Sequence, residues 1–166
     1  MARQLWLLRH AEAEPHGSRE DSERRLTPRG EQQSRAAGVA LRRLGVEFDA
    51  ILFSPKQRAR QTAELAAEAW DGQQRARMEV HPALAGDFGA PEALAAVAGL
   101  GPDARLLLVG HEPDMSQLVG ALTGGRVDMK KGGVAALRLE GASGELVVLL
   151  RPREIGLISG LPVGGE

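Results

Sequence analysis

Two histidines and two arginines of this chain stand where strand-like runs end. The run Leu5-Trp6-Leu7-Leu8 passes directly into Arg9 and His10. A second run, DAILFS, ends at Ser54 and leads into a segment carrying Arg58. The most uniformly apolar run, RLLLVG, ends at Gly110 and is followed by His111. Buried strands ordinarily give way to turn residues such as Gly, Asn or Asp, so charged and imidazole side chains at these ends need another reason. A transferable phosphoryl group supplies one. Arginine offers a planar fork of donors that matches phosphate oxygens and keeps its charge. A neutral imidazole is a nucleophile toward phosphorus, and a protonated one can hold an oxygen.

The elements that must bring these residues together alternate strand and helix. Gln4–Leu8 reads as a first strand, and Asp21–Arg25 as a charged loop. Thr27 followed by Pro28 signals a helix start, and EQQSRAAGVALRRL carries its apolar stripe to Gly45. The strand Asp49–Ser54 leads to a helix capped by Ser54, with Pro55 at its first position, that runs to Trp70 and is stopped by Asp71-Gly72. RMEVHP reads as a strand, Pro91–Leu100 as a helix, Arg105–Gly110 as a strand buried on both faces, and PDMSQLVGAL as a helix. GVAALRLE and GELVVLLR form a terminal hairpin. The expected fold class is α/β: a three-layer sandwich with a mostly parallel, mixed sheet and helices on both faces. Residues 1–154 are expected to make a single domain, and 155–166, rich in Gly and Pro, a loosely held tail. In open sheets of this class ligands bind outside the carboxyl ends of the strands, which places Arg9, His10, Arg58 and His111 on one edge.

Composition narrows the function. With 166 residues, 43% apolar and 26% charged, the chain has the balance of an ordinary globular protein. A net charge of -1 gives no case for binding nucleic acid or an anionic membrane. Cysteine is absent, which removes disulfides, thiolate zinc sites and cysteine nucleophiles. No pair among the histidines has the i, i+4 spacing of helical metal ligands, so no metal is expected. KKGG at Lys130–Gly133 lacks the surroundings of a P-loop, so no nucleotide cofactor is expected either. The apolar run in MARQLWLLRH is too short for a signal peptide, and the expected location is the cytoplasm.

The same residues carry a resemblance. LLRHAEAE resembles the N-terminal Arg-His-Gly signature of the histidine phosphatase superfamily, with Ala11 in place of the glycine, as in its SixA-like phosphohistidine phosphatase branch. RRLTPRGEQQSRAAG, ILFSPKQRARQTAE and LLLVGHEPDMS resemble the segments that follow, in the family's order. One such motif is weak; four in order are specific. The resemblance implies a phosphoglycerate-mutase-like fold without a large cap insertion. It implies that His10 is transiently phosphorylated, while Arg9, Arg58 and His111 bind the phosphoryl oxygens, without a cofactor.

The family's carboxylic general acid is not matched tightly; Asp87 and Glu92 are the candidates, with Glu12 and Glu14 near the nucleophile as competitors. A phosphohistidine leaving group is an imidazole with pKa ~6.5, which departs without the strong protonation an alkoxide needs. The expected partner is therefore a phosphorylated protein carrying phosphohistidine, met by a monomer with an open site. Arg19, Arg25, Lys130 and Lys131 are the rim candidates. The alternatives are a phosphomonoesterase or mutase on a small phosphorylated metabolite, and a noncatalytic phosphate-binding module. His16 and His81 read as plain loop and strand-end residues, and Arg24, Arg35, Arg42 and Arg43 as solvated faces.

Overall fold

The computed structural model describes residues 2–164. Among them, strands β1 (Gln4–Arg9), β2 (Ala50–Phe53), β3 (Met78–Val80), β4 (Arg105–Gly110), β5 (Val134–Glu140) and β6 (Ser143–Leu150) form one sheet in the order β3-β2-β4-β1-β5-β6. The first four run parallel, and the terminal hairpin adds two antiparallel strands beside β1. The helices are α1 (Pro28–Arg43), α2 (Gln57–Ala67), α3 (Gly72–Arg75), α4 (Ala90–Ala98), α5 (Asp114–Thr123) and α6 (Pro152–Ser159).

Alternation along the central strands sets the layers, because successive strand residues point to opposite faces. Trp6, Leu8, Leu107 and Val109 pack with residues of α1, α2 and α6, whereas Leu5, Leu7, Leu106 and Leu108 pack with residues of α4 and α5. Both faces of β1 and β4 are therefore covered, and each buried leucine contributes about 2 kcal/mol of apolar burial. The three-layer sandwich and mixed sheet match the fold class expected from the sequence.

Small residues let the first layer close tightly. Ala36, Ala37, Ala40, Ala59, Ala63, Ala66 and Ala67 are all buried between α1, α2 and the sheet. At Gly38 a Cβ would stand 2.0 Å from the carbonyl oxygen of Ala66, so the two helices touch backbone to backbone. The abundance of alanine thus has a packing use.

Several boundaries differ from expectation. Helix α1 starts as expected, with the Thr27 hydroxyl accepting from the Gly30 N–H at 3.1 Å and Pro28 in the first turn. Helix α2 begins at Gln57 with Lys56 as its N-cap, because the Ser54 hydroxyl is engaged elsewhere and does not cap it. Asp71-Gly72 does not simply stop a helix: Asp71 caps α3, its carboxylate accepting from the Gln74 N–H at 2.8 Å. The expected loose tail from residue 155 is corrected over Ile155–Ser159, which belong to α6. Pro152 occupies its first turn, Glu154 accepts from the Arg151 N–H at 3.0 Å, and Gly160 at φ 71° ends it. Ile155 is buried against α1, and the Ile158 carbonyl accepts from Arg43 at 2.9 Å. Among the described residues no helix is long and apolar enough to cross a membrane.

Candidate active site

Strand register levels three carboxyl ends. Arg9 lies opposite Gly110, and Phe53 opposite Val109. The pattern continues past the strands: His10 N–H donates to the Gly110 carbonyl at 2.9 Å, and Ser54 N–H to the Val109 carbonyl at 3.0 Å. His10, Ser54 and His111 therefore leave the sheet side by side, and the His10 and His111 ring centroids are 5.2 Å apart.

A hydrogen bond assigns the tautomer of His10. His10 Nδ1 is 2.8 Å from the Ala11 carbonyl, which can only accept, so Nδ1 carries the hydrogen and Nε2 the lone pair. Arg58 Nε points its hydrogen at that lone pair from 3.4 Å. His111 Nε2 is 2.7 Å from Ser54 Oγ, which already accepts from the Lys56 N–H at 3.2 Å. A hydroxyl oxygen carries two lone pairs, so Ser54 can donate to His111 Nε2 or accept from it, and His111 Nδ1 is buried with no protein partner.

Both rings are neutral near pH 7. Burial pushes the His10 pKa down to about 3, against its Ala11 bond, and the positive surroundings of His111, Arg58 and Arg9 add to the effect. Burial also takes His111 down to about 3, with Arg58 and Lys56 acting in the same sense. A neutral His10 keeps its Nε2 unprotonated at ordinary pH, as a nucleophile requires.

The arginines are held by backbone and by one carboxylate. Arg58 donates to the Asp21 carbonyl at 2.8 Å and pairs with the Asp21 carboxylate at 3.4 Å. Lys56 and Arg24 reach the same carboxylate at 3.2 and 3.0 Å. Desolvation opposes ionisation of Asp21, but the Arg24 and Lys56 hydrogen bonds and the Arg58 charge hold it well below the usual carboxylate range. Arg24 is only 6% exposed and donates to the Glu14 carbonyl at 2.7 Å, so it supports the site and is not the solvated surface residue expected. Arg9 donates to the Met129 carbonyl at 2.8 Å, while its Nε is buried without an acceptor.

These side chains surround a cleft of about 190 Å³, roomy enough for a phosphoryl group. Arg9, His10, Arg58 and His111, all singled out from the sequence, line it together. Of the candidate acids, Glu14 does and the others do not. Glu12 faces an adjoining hollow and accepts from the Thr27 hydroxyl at 3.0 Å. Asp87, at φ 54° in an exposed turn, and Glu92, on the first turn of α4, are both outside the cleft lining. The carboxylates that do line the cleft are Glu14 and Glu112. Of the rim candidates, Lys131 lines the cleft and Lys130 the adjoining hollow. Arg19 instead pairs with Glu14 at 2.8 Å, and Arg25 contributes its backbone N–H to the same carboxylate at 2.7 Å. His16, expected to be a plain loop residue, stands at the cleft wall.

Sequence reasoning missed Ser54 as a partner of His111, and also Asp21, Arg24 and Glu112. Only Glu112, next to His111, had a signal in its position. Among the described residues no group of three or more His, Asp or Glu side chains is arranged to hold a metal ion.

Comparison with known proteins bears on the family and the fold. The family model of the histidine phosphatase superfamily (branch 1) matches residues 5–105. An uncharacterised protein of Picosynechococcus sp. is 36% identical over 163 residues, covering 90% of this chain and 97% of the relative. The solved structure of the protein histidine phosphatase SixA complexed with tungstate superposes with a TM-score of 0.80 at 26% identity, over 92% of this chain and 99% of that one. A protein of Nakamurella multipartitia assigned as a SixA phosphohistidine phosphatase superposes with a TM-score of 0.76 at 28% identity, over 92% of this chain and 97% of that one.

Proposed function

The chain belongs to the histidine phosphatase superfamily, and from that membership we propose that it hydrolyses phosphohistidine on a protein substrate through a phosphoenzyme formed on His10. The observation that carries the proposal is the unprotonated Nε2 of His10, buried in a cationic cleft and approached by Arg58. Similarity to SixA, a protein histidine phosphatase solved with a tetrahedral oxyanion, supports the choice of substrate.

In the first step His10 Nε2 attacks phosphorus, a new N–P bond forms, and the N–P bond of the substrate breaks. The departing imidazole takes its proton from solvent. Arg9 and Arg58 hold the equatorial oxygens, and His111 lines the cleft beside them. Neither the charge nor the donors need to reorganise, because backbone carbonyls, Asp21 and Ser54 already fix them. In the second step water attacks the phosphoryl group, the His10 N–P bond breaks, and inorganic phosphate leaves. Positioning and charge neutralisation are most of what phosphoryl transfer asks of a protein.

A phosphomonoester reading rests on Glu112 and Glu14, since a cleft-lining carboxyl group could protonate an alkoxide. Glu14 is engaged by Arg19 and the Arg25 N–H, which hold its carboxyl below the usual range, so Glu112 is the better acid. Measuring kcat/KM on a phosphohistidine protein, a phosphoserine peptide and a set of sugar phosphates separates the two. We expect the P–N substrate to be preferred at least tenfold. Equal turnover of a P–O ester, lost in Glu112→Gln, would establish the second reading instead.

A further inference from the structure

Beside the phosphoryl cleft lies a second hollow of about 460 Å³. Arg9, Arg29, Lys130, Lys131, Glu12 and Gln33 are in its lining, and Arg9 and Lys131 line the cleft too, so the two share a wall. Donors outnumber acceptors here. Arg9 has one nitrogen on the Met129 carbonyl and a buried Nε with no acceptor. Arg29 packs its Nε against Gly164, leaves the rest of its half-exposed side chain to the hollow, and is 3.9 Å from the nearest Glu12 oxygen, beyond hydrogen-bond reach. That carboxylate already accepts from the Thr27 hydroxyl at 3.0 Å. Gln33 Oε1 accepts from the Glu12 N–H at 3.0 Å, leaving its amide hydrogens without a protein acceptor among the described residues. Lys131 is exposed with no acidic partner among the described residues, whereas Lys130 pairs with Asp128 at 2.8 Å. Arginine and lysine side chains that converge on one hollow with so few acidic partners favour an anion there.

We propose that this hollow is a second anion subsite, which receives the carboxylate of an acidic residue beside the phosphorylated histidine of the substrate. The inference rests on the phosphohistidine reading above. The shared wall brings that carboxylate next to the phosphoryl group, and Arg9 lies between the two anions. The hollow exceeds the cleft in volume (about 460 against 190 Å³), which suits a side chain with its flanking backbone. Its rim, with Lys130 and Lys131 exposed, faces outward as a docking surface must.

The test uses peptides carrying the non-hydrolysable triazole analogue of phosphohistidine, flanked on both sides by Glu or by Gln. Their dissociation constants from the full chain are measured at low ionic strength. The Glu-flanked peptide should bind about fivefold more tightly. That ratio should fall to near one in Arg29→Gln and in Lys131→Gln, and Arg29→Glu should shift the preference toward a Lys-flanked peptide, a reversal that misfolding cannot produce. Equal affinity for the two peptides, or a preference that survives these substitutions, overturns the subsite. Failure of the phosphohistidine reading looks different: the phosphorylated analogue would bind no better than the same peptide without its phosphoryl group, while the Glu-to-Gln ratio would still report on the hollow.

Discussion

Ser54 Oγ lies 2.7 Å from His111 Nε2, and this bond holds the His111 ring beside His10 in the cleft lining. The two residues leave adjacent strands, β2 and β4, whose register sets them level. Removing the hydroxyl frees the ring. Ser54→Ala should lower kcat by about tenfold, the scale expected for a misoriented side chain beside a phosphoryl group. Steady-state kinetics check it, with circular dichroism confirming the fold; an unchanged kcat would show that His111 needs no such partner.

The buried, neutral histidines couple stability to pH. His10 and His111 are both pushed down to about 3 by burial and nearby cations, from 6.5 in the unfolded chain. The unfolded state therefore takes up protons that the folded state refuses. Their contribution is fully present above pH 6.5 and is lost as pH falls from there toward 3, with a slope of up to about 1.4 kcal/mol per pH unit for each ring. Urea denaturation of the ligand-free protein at pH 7.5, 6 and 5 should show this fall. His111→Gln should reduce the slope, and identical slopes would contradict the assignment.

Gly38 and Ala66 test the packing of the first layer. A Cβ at Gly38 would meet the Ala66 carbonyl oxygen at 2.0 Å, so α1 and α2 must separate to accept it. Gly38→Ala should cost about 2 kcal/mol, despite the better helix propensity of alanine. A denaturation midpoint at or above that of the unaltered chain would refute it.

Much of the site was legible because its side chains break a local pattern. Arg9, His10 and His111 interrupt or follow buried strands, and Arg58 sits in an ordered motif, so residue type and position were enough. Asp21 and Arg24 were not legible. They sit in a run of charges that reads as solvent-facing, and only folding brings Asp21 against Arg58, 37 residues away. Ser54 was misread for a related reason: a serine before a proline and a helix is locally a cap, and its engagement by a residue 57 positions on has no local signal. The candidate acids Asp87 and Glu92 were chosen by position along the chain, which does not reveal which carboxylates line a cleft. Helix α6 was obscured by the glycines after it, although Pro152 and Gly160 bracket it as start and stop signals should.

The most direct test of the account is to look for the phosphoenzyme. The protein is mixed with phosphoramidate or a phosphohistidine protein labelled in its phosphoryl group, quenched within milliseconds, and examined for protein-bound label. The account predicts label that is acid-labile and alkali-stable, located on His10 by mass spectrometry of the peptide containing it, and absent from His10→Ala, which should also lose at least a thousandfold in kcat. Label on another residue, or hydrolysis by His10→Ala at the rate of the unaltered chain, would contradict it.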